Sequence, residues 1–359
     1  MKILIGFDFF GAGNLGDDLM LSGFLDACSD HSFELACLSA FPLFSQQRRF
    51  RSIRWLPSTP AAREEAIKWC DIWLGLGDSP FQTTSGMQFL DMISTDLKIC
   101  RRERKPAFFL GTGINDSAAL GTPQSREILP SLDFIWTRDQ QSYDLLASQL
   151  SGPEKLGLGA DLANVSLAKF FPQPITANVT SPDAFIINVE ETSQLSIEVL
   201  ERYIADAAES GAPKIRWICQ ECRKLSISEL TIYEDFFSQR TQRRLALGLS
   251  DYQMASLADL VAPWKGIRRC LSTRYHGALI AAWAGSAPVA YCRNDKVRGL
   301  VEDLALNECV SLKKAEHIES ALDSARPVER TVLEKLSRQA RDMCHEFLSR
   351  SAAISSRPR

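Results

Sequence analysis

Residues Ser272–Leu300 read STRYHGALIAAWAGSAPVAYCRNDKVRGL. A short apolar run ends in a small polar turn, and a small-residue helix, GALIAAWA, comes next and stops at Gly285. A second strand, PVAYC, comes at once and delivers the cations of RNDK. This is a strand, a helix and a second strand in succession, the unit of a parallel sheet. Arg274 and His276 stand just ahead of the helix. A helix start presents unpaired backbone N–H groups and a partial positive charge, so it attracts anions. An arginine fork and an imidazole placed there can hold a phosphate or carboxylate and move a proton beside it. The competing reading is an ordinary strand–helix turn with a surface arginine and a satisfied histidine. The chain has four histidines, at 31, 276, 317 and 345, and His276 alone has this setting.

The same alternation extends outward on both sides. In the first half, KILIGFD, FELACLS, IRWLP, DIWLGLG, PAFFLGTG and DFIWTRD read as strands with amphipathic segments between them. One such segment sets Leu19, Met20, Phe24 and Leu25 at helical spacing. From Phe170 to Asp183 the pattern breaks into Pro, Asn, Thr and Ser, the composition of a linker. It restarts with DAFIINVE, a helix through Leu195–Ala208, KIRWICQE, a helical region, RCLST and the helix and strand of Ser272–Leu300. Val328–Arg350 reads as one charged amphipathic helix, which would pack back on the first domain or pair with another subunit.

The expected fold is therefore α/β: two Rossmann-like doubly wound domains facing across a cleft. The expected boundaries are 1–170, 183–327 and a C-terminal helix and tail at 328–359. Ligands of such sheets bind beyond the carboxyl ends of the strands, which is where the Gly-rich turns and Arg274 and His276 fall.

Composition narrows the function. With 359 residues, 45% hydrophobic and 24% charged, the chain has the make-up of a folded globular protein. A formal net charge of −3 argues against a nucleic-acid groove as its main business. MKILIGFDFFGAG lacks the features of a signal peptide, and no stretch reaches the ~20 apolar residues of a membrane span, so a cytoplasmic protein is expected. Ten cysteines are then expected to be mostly free thiols. Cys219 and Cys222 form a C-x-x-C without the second pair that a structural zinc needs, so no metal is expected.

Further candidates lie upstream. In GAGNLGDDLML (Gly11–Leu21), Gly13 and Gly16 permit a tight turn and close approach to the backbone. Asp17 and Asp18 complement the helix start and would repel a pyrophosphate. Asn14 and the aspartates read either as acceptors for the hydroxyls of a sugar-like substrate or as a helix cap. Arg138, with Asp139 and Ser142 after it, reads as a second anion clamp or as a structural Arg–Asp pair. Asp161 is a strand-end carboxylate of the same kind, and Lys296 adds a cation near Arg274 and His276. The turns LGLGDSPFQ (Leu74–Gln82) and LGTGINDS (Leu110–Ser117) are consistent with any βα connection.

Taken together, these motifs resemble the polysaccharide pyruvyl transferase family. GAGNLGDDLML is similar to its G-x-x-N-x-G-D-[DE]-x-x-L. Arg138, Asp139 and Ser142 are similar to its strand-end Arg–Asp and Ser. STRYHG is similar to its S-x-R-x-H-[GA], AWAGSAP to its small-residue helix ending in G-x-P, and Tyr291 and Lys296 to its Tyr and Lys ahead of an apolar helix. The chain departs where the family has a triple glycine, with GLGD, and lacks a proline after LGTGI. The resemblance implies a glycosyltransferase-B-like scaffold and transfer of a pyruvyl group from phosphoenolpyruvate to two hydroxyls of a sugar or lipid-linked oligosaccharide, forming a cyclic ketal. It implies His276 and Arg274 as catalytic residues. Lys296, Arg138, Asn14, Asp17, Asp18, Gly13 and Gly16 would bind substrate. No cofactor is implied, and any link to a polysaccharide assembly system would be peripheral. A nucleotide-sugar glycosyltransferase or epimerase, or a non-catalytic sugar-binding relative, stays open on the same scaffold.

Overall fold

The computed structural model describes residues 1–11, 13–40, 49–83, 86–150, 153–173, 175, 177–178, 180–188, 195, 215–220, 245–248 and 256–355. The helix expected at Leu195–Ala208 lies outside them except for Leu195, and so does Cys222.

Two compact units emerge. The first comprises Met1–Ala12, Asp17–Ser166 and Glu334–Arg359; the second comprises Gly13–Gly16 and Leu167–Leu333. The short glycine turn near the N-terminus thus belongs to the second unit, and the C-terminal helix from Glu334 to the first.

The first unit is a seven-stranded parallel sheet in the order β3-β2-β1-β4-β5-β6-β7. Its strands are β1 (Lys2–Ile5), β2 (Glu34–Ser39), β3 (Ile53–Pro57), β4 (Ile72–Leu76), β5 (Ala107–Thr112), β6 (Phe134–Thr137) and β7 (Leu156–Leu158). The helices are α1 (Leu15–Ala27), α2 (Pro60–Trp69), α3 (Gln88–Arg102), α4 (Pro123–Ser131) and α5 (Gln140–Ala147). α6 (Ala163–Phe170) leads into the second unit. β1 and β4 are buried along almost their whole length, which is why they read as continuous apolar runs rather than alternating ones. On α1, Leu19, Met20 and Phe24 are buried, as their spacing predicts, while Leu25 is half-buried. The long C-terminal helix α11 (Arg330–Ser355) closes this core. Its Phe347 meets Phe108 edge-on at 5.5 Å, and Trp136 donates from Nε1 to Glu346 at 3.0 Å.

The second unit is a six-stranded parallel sheet in the order β10-β9-β8-β11-β12-β13. The strands are β8 (Asp183–Ile186), β9 (Ile215–Ile218), β10 (Leu245–Gly248), β11 (Arg269–Ser272), β12 (Ala287–Ala290) and β13 (Asn307–Glu308). Counted within the unit, this is the 3-2-1-4-5-6 order of dinucleotide-binding folds, and its direction reverses between β8 and β11. The helices are α7 (Leu257–Val261), α8 (Tyr275–Trp283), α9 (Asp295–Leu304) and α10 (Ala315–Ser324). All nine residues of α8 are buried, which accounts for its run of small apolar residues.

Candidate active site

At the reversal between β8 and β11, the carboxyl ends of the two strands are tied by polar bonds. Thr273 donates its backbone N–H to Ile186 O at 3.0 Å, and its Oγ1 accepts from the N–H of Asn188 at 2.8 Å. Ser272 shapes the turn into α8: its Oγ accepts from the N–H of Arg274 at 3.0 Å and donates to Arg274 O at 2.8 Å. Arg274 is thereby held extended (φ −108°, ψ 136°) at the N-cap of α8, where its side chain makes no capping bond. His276 lies in the first turn and is 4% exposed.

A second helix start lies beside the first. Tyr291 donates its N–H to Ser272 O at 3.0 Å, and the chain then turns into α9, capped by Asn294 Oδ1 accepting from Val297 N–H at 3.1 Å. Lys296 occupies the first turn of α9, with Nζ 5.7 Å from the centre of the Tyr275 ring. That ring meets the His276 ring edge-on at 5.1 Å. A lysine at a helix start opposes the helix dipole, a cost of a few tenths of a kcal/mol to about 1 that a bound anion would remove. Arg274, His276 and Lys296 therefore gather on two neighbouring helix starts, joined through Tyr275.

The glycine turn of the second unit forms a wall of this site. A Cβ on Gly16 would stand 2.0 Å from His276 Nδ1, so the imidazole occupies space that only glycine leaves. Gly13 has φ +87°, a left-handed conformation that favours glycine. Asn14 Oδ1 accepts from Gly16 N–H at 3.0 Å, the N-cap bond of α1, so the cap reading of Asn14 is the one on view. Leu15 donates its N–H to Gln220 O at 3.2 Å. The same Gln220, 2% exposed, sets its Oε1 3.0 Å from where a Cβ on Gly277 would be. Gln220 and Asn188 are site residues that sequence reasoning missed. Their signal was a polar residue two places beyond the end of an apolar parallel strand.

The other candidates belong to the first unit. Asp18 is 1% exposed and accepts from Arg49 Nη1 at 2.6 Å; Asp17 is buried beside it in the first turn of α1. Arg138 is 1% exposed. It donates from Nη2 to Ser79 Oγ at 2.9 Å and from Nη1 to Asp161 Oδ2 at 3.4 Å, and it pairs with Asp139 at 3.5 Å. Its guanidinium also covers Gly113, where a Cβ would stand 2.6 Å from Nε and Nη2. Of the two readings of Arg138, the structural Arg–Asp pair is the one these bonds display. Asp139 caps α5 by accepting from Ser142 N–H at 2.7 Å.

The thiol of Cys292, just past β12, is pushed up to about 12 by burial and the nearby Glu308 carboxylate. Among the described residues, no group of three or more His, Cys, Asp or Glu is arranged to hold a metal ion, and no helix is long and apolar enough to cross a membrane.

Solved structures share this fold at very low identity. S. aureus MnaA, solved with UDP, is 10% identical with a TM-score of 0.65, covering 99% of this chain and 98% of its own. The UDP-GlcNAc 2-epimerase of Methanocaldococcus jannaschii is 9% identical with a TM-score of 0.62, covering 97% and 100%. An alpha-glucosyltransferase in complex with UDP-glucose and DNA is 11% identical with a TM-score of 0.53, covering 99% and 100%. These define the fold class, the glycosyltransferase-B-like α/β fold with two parallel sheets. No curated protein matches the chain. The sequence model of the polysaccharide pyruvyl transferase family matches residues 14–285, from Asn14 through the whole Arg274/His276 block. The chain belongs to that family and is a transferase, with a donor and a sugar acceptor as its substrates.

Proposed function

We infer that the donor is phosphoenolpyruvate and that the product is a cyclic pyruvyl ketal on two hydroxyls of a sugar in a polysaccharide or glycoconjugate precursor. The observation that carries this is the gathering of Arg274, His276 and Lys296 on the two helix starts at the carboxyl ends of β11 and β12. The donor carries a carboxylate and a phosphate and needs two cationic partners. Arg274 supplies a fork and Lys296 a point charge. Asn14, Gly13 and Gly16 shape the approach to His276.

The chemistry begins with a proton on the methylene carbon of the enol ether, which turns it into a methyl group and leaves the central carbon oxocarbenium-like. One sugar hydroxyl adds to that carbon, phosphate departs, and the neighbouring hydroxyl closes the ring. Of the two hydroxyl protons, one balances the new methyl hydrogen and the other leaves with phosphate. His276, the histidine at this site, moves these protons, a role worth ~100- to 10,000-fold. Phosphoenolpyruvate is a cytoplasmic metabolite, which fits a cytoplasmic enzyme acting on a precursor before export.

The second reading is a nucleotide-sugar epimerase or glycosyltransferase. It is favoured by the UDP and UDP-glucose found with proteins of the same fold. Thermal shift with phosphoenolpyruvate, UDP and GDP side by side separates the two. A ligand at ~100 times its dissociation constant stabilises the folded state by about 2.7 kcal/mol. Stabilisation by phosphoenolpyruvate that disappears in Arg274→Ala supports pyruvyl transfer. Stabilisation by a nucleotide alone overturns it.

A further inference from the structure

At the opposite end of the same sheet lies a cavity of about 670 Å³, contained in the second unit. That volume is in the range of small-molecule sites. Arg269 begins β11 and Ser272 ends it, so the cavity and the Arg274 turn are separated by the strand's length, roughly 10 Å. Its apolar lining includes the half-buried Ile175 and Val328, backed by the fully buried Trp283 and Leu322. Among the described residues, its polar lining is Arg268, Arg269, Arg326, Arg330 and a single carboxylate, Asp323.

Donors outnumber acceptors on this wall. Asp183 lies behind the cavity and serves two arginines: Arg268 donates to it from Nε at 3.2 Å and Nη2 at 3.1 Å, and Arg269 from Nη2 at 2.6 Å. Arg269 also pairs through Nη1 with Asp323, whose side chain is 74% exposed. Arg330 donates to the carbonyls of Phe171 at 2.8 Å and Pro172 at 3.2 Å, and covers the Trp283 ring at 4.5 Å. Arg326 donates from Nη1 to the carbonyls of Asp323 at 3.1 Å and Ala325 at 2.7 Å. Carbonyls satisfy donors without neutralising charge. Among the described residues, Arg268, Arg269 and Arg326 meet two carboxylates, Asp183 and Asp323, and the second is largely in solvent. The carboxyl-terminal ends of α8 and α10 offset part of the remaining positive charge. Directed donors, rather than bulk charge, are therefore what this wall offers an anion. Arg268 Nη1 and the Nε and Nη2 of Arg326 make no bond to the described residues.

We propose that this cavity is a second ligand site that binds an amphipathic phosphate: one phosphate held by Arg268 and Arg326, with an apolar body against Ile175 and Val328. Guanidinium forks match phosphate oxygens in pairs. The apolar lining separates this ligand from a bare inorganic anion. The site is independent of the donor site, since different residues build it.

Calorimetric titration with hexyl phosphate and with inorganic phosphate tests it, using the full chain carrying Arg274→Ala so that the donor site is silent. Hexyl phosphate binds that protein more tightly than inorganic phosphate. Adding Arg326→Gln, which removes only bonds to local carbonyls, weakens it about ten- to a hundredfold. Adding Asp323→Asn at its exposed position removes the lining carboxylate and tightens it. The opposite signs of the two variants keep a folding defect from imitating the result. Loss of all hexyl phosphate binding in Arg274→Ala, or indifference to both added variants, overturns the proposal. Flotation with vesicles containing phosphatidic acid assigns the source: Arg326-dependent flotation supports a membrane lipid, and retained hexyl phosphate binding without flotation supports a soluble ligand.

Discussion

Gly16 lies where any side chain would overlap the His276 imidazole: its Cβ would fall 2.0 Å from Nδ1 and 2.5 Å from Cγ. The glycine turn of the second unit therefore fixes the position of the His276 imidazole, the group proposed to move the protons. Asn14 reinforces it by accepting the Gly16 N–H at 3.0 Å, and Gln220 O accepts from Leu15. Gly16→Ala must displace the ring. Overpacking of this kind costs about 1–3 kcal/mol, and a displacement near 1 Å of a reacting group costs on the order of 100-fold in rate. The expected outcome is a large fall in kcat with a phosphoenolpyruvate KM close to wild type. Steady-state phosphate release checks it. A KM effect without a kcat effect would detach Gly16 from His276.

Asp18 and Arg49 form a buried pair in the first unit, with side chains 1% and 7% exposed. Removing one partner of such a pair leaves a buried charge and costs about 3–5 kcal/mol. Asp18→Asn is therefore expected to lower the denaturation midpoint markedly. If the carboxylate instead serves only to accept a sugar hydroxyl, the midpoint holds and the acceptor KM rises. Urea titration alongside acceptor kinetics distinguishes the two.

Burial alone would raise the Asp183 carboxyl, but hydrogen bonds from Arg269 and then Arg268 outweigh it, so its folded-state pKa lies below the ordinary value. A carboxylate lowered on folding contributes stability that is fully present above the unfolded pKa, ~3.9, and is lost as pH falls through the folded value. Asp183→Asn is expected to cost about 2–3 kcal/mol at pH 7, less than a fully buried pair because Arg268 is partly exposed. The gap between wild type and variant should narrow as the pH is lowered below ~3.9. Chemical denaturation at two pH values measures it. A gap independent of pH would mean that lost packing, rather than charge, sets the cost.

How much of this was legible in the sequence depends on length and position. Ser272–Leu300 announced itself because β11, α8 and β12 succeed one another with almost no connecting chain, and a helix of small apolar residues without a polar face must be covered on every side. The strand that escaped notice, β13, has two residues; β7, implied only by the reading of Asp161 as a strand-end carboxylate, has three and ends at the exposed Leu158 at a sheet edge. β10, four residues at the other edge of the second sheet, falls within a stretch whose pattern reads as helical. Edge strands bury less and so carry a weaker apolar signal. At the site, Arg274 and His276 stood out by charge and rarity. Gln220 and Asn188 did not, because a lone polar residue after a strand becomes meaningful only when the strand order is known, and in CQEC the cysteine pair carries the stronger pattern. Asn14 exerts its effect through a cap, and that cap was one of the two readings its spacing allowed.

Cys292 is the one described cysteine that is only half-buried, and that partial burial together with Glu308 pushes its thiol up to about 12. The thiolate is the reactive form, so almost none exists near neutral pH. Iodoacetamide at pH 8 is expected to leave Cys292 largely unlabelled in the folded protein and to label it on unfolding. Peptide mass spectrometry after a timed exposure reads this directly, and rapid labelling of the native protein would mean that Cys292 is poised for chemistry.

In the proposed donor site Arg274 and Lys296 divide the anion between a fork and a point charge, and their substitutions should separate in kind. Arg274→Lys keeps the charge but loses the paired hydrogen bonds, worth roughly 1.5–3 kcal/mol for charge-assisted contacts, or about ten- to a hundredfold in phosphoenolpyruvate affinity. Lys296 is half-buried on the first turn of α9, so its attraction is partly screened, with a Debye length of ~8 Å at physiological salt. Lys296→Gln is therefore expected to weaken binding less at physiological salt and to flatten its salt dependence, whereas Arg274→Lys leaves the slope unchanged. Titrating phosphoenolpyruvate at two ionic strengths against wild type and both variants gives the comparison. Equal losses with equal slopes would mean that the two cations act as one undifferentiated positive patch and that the fork at Arg274 has no geometric role.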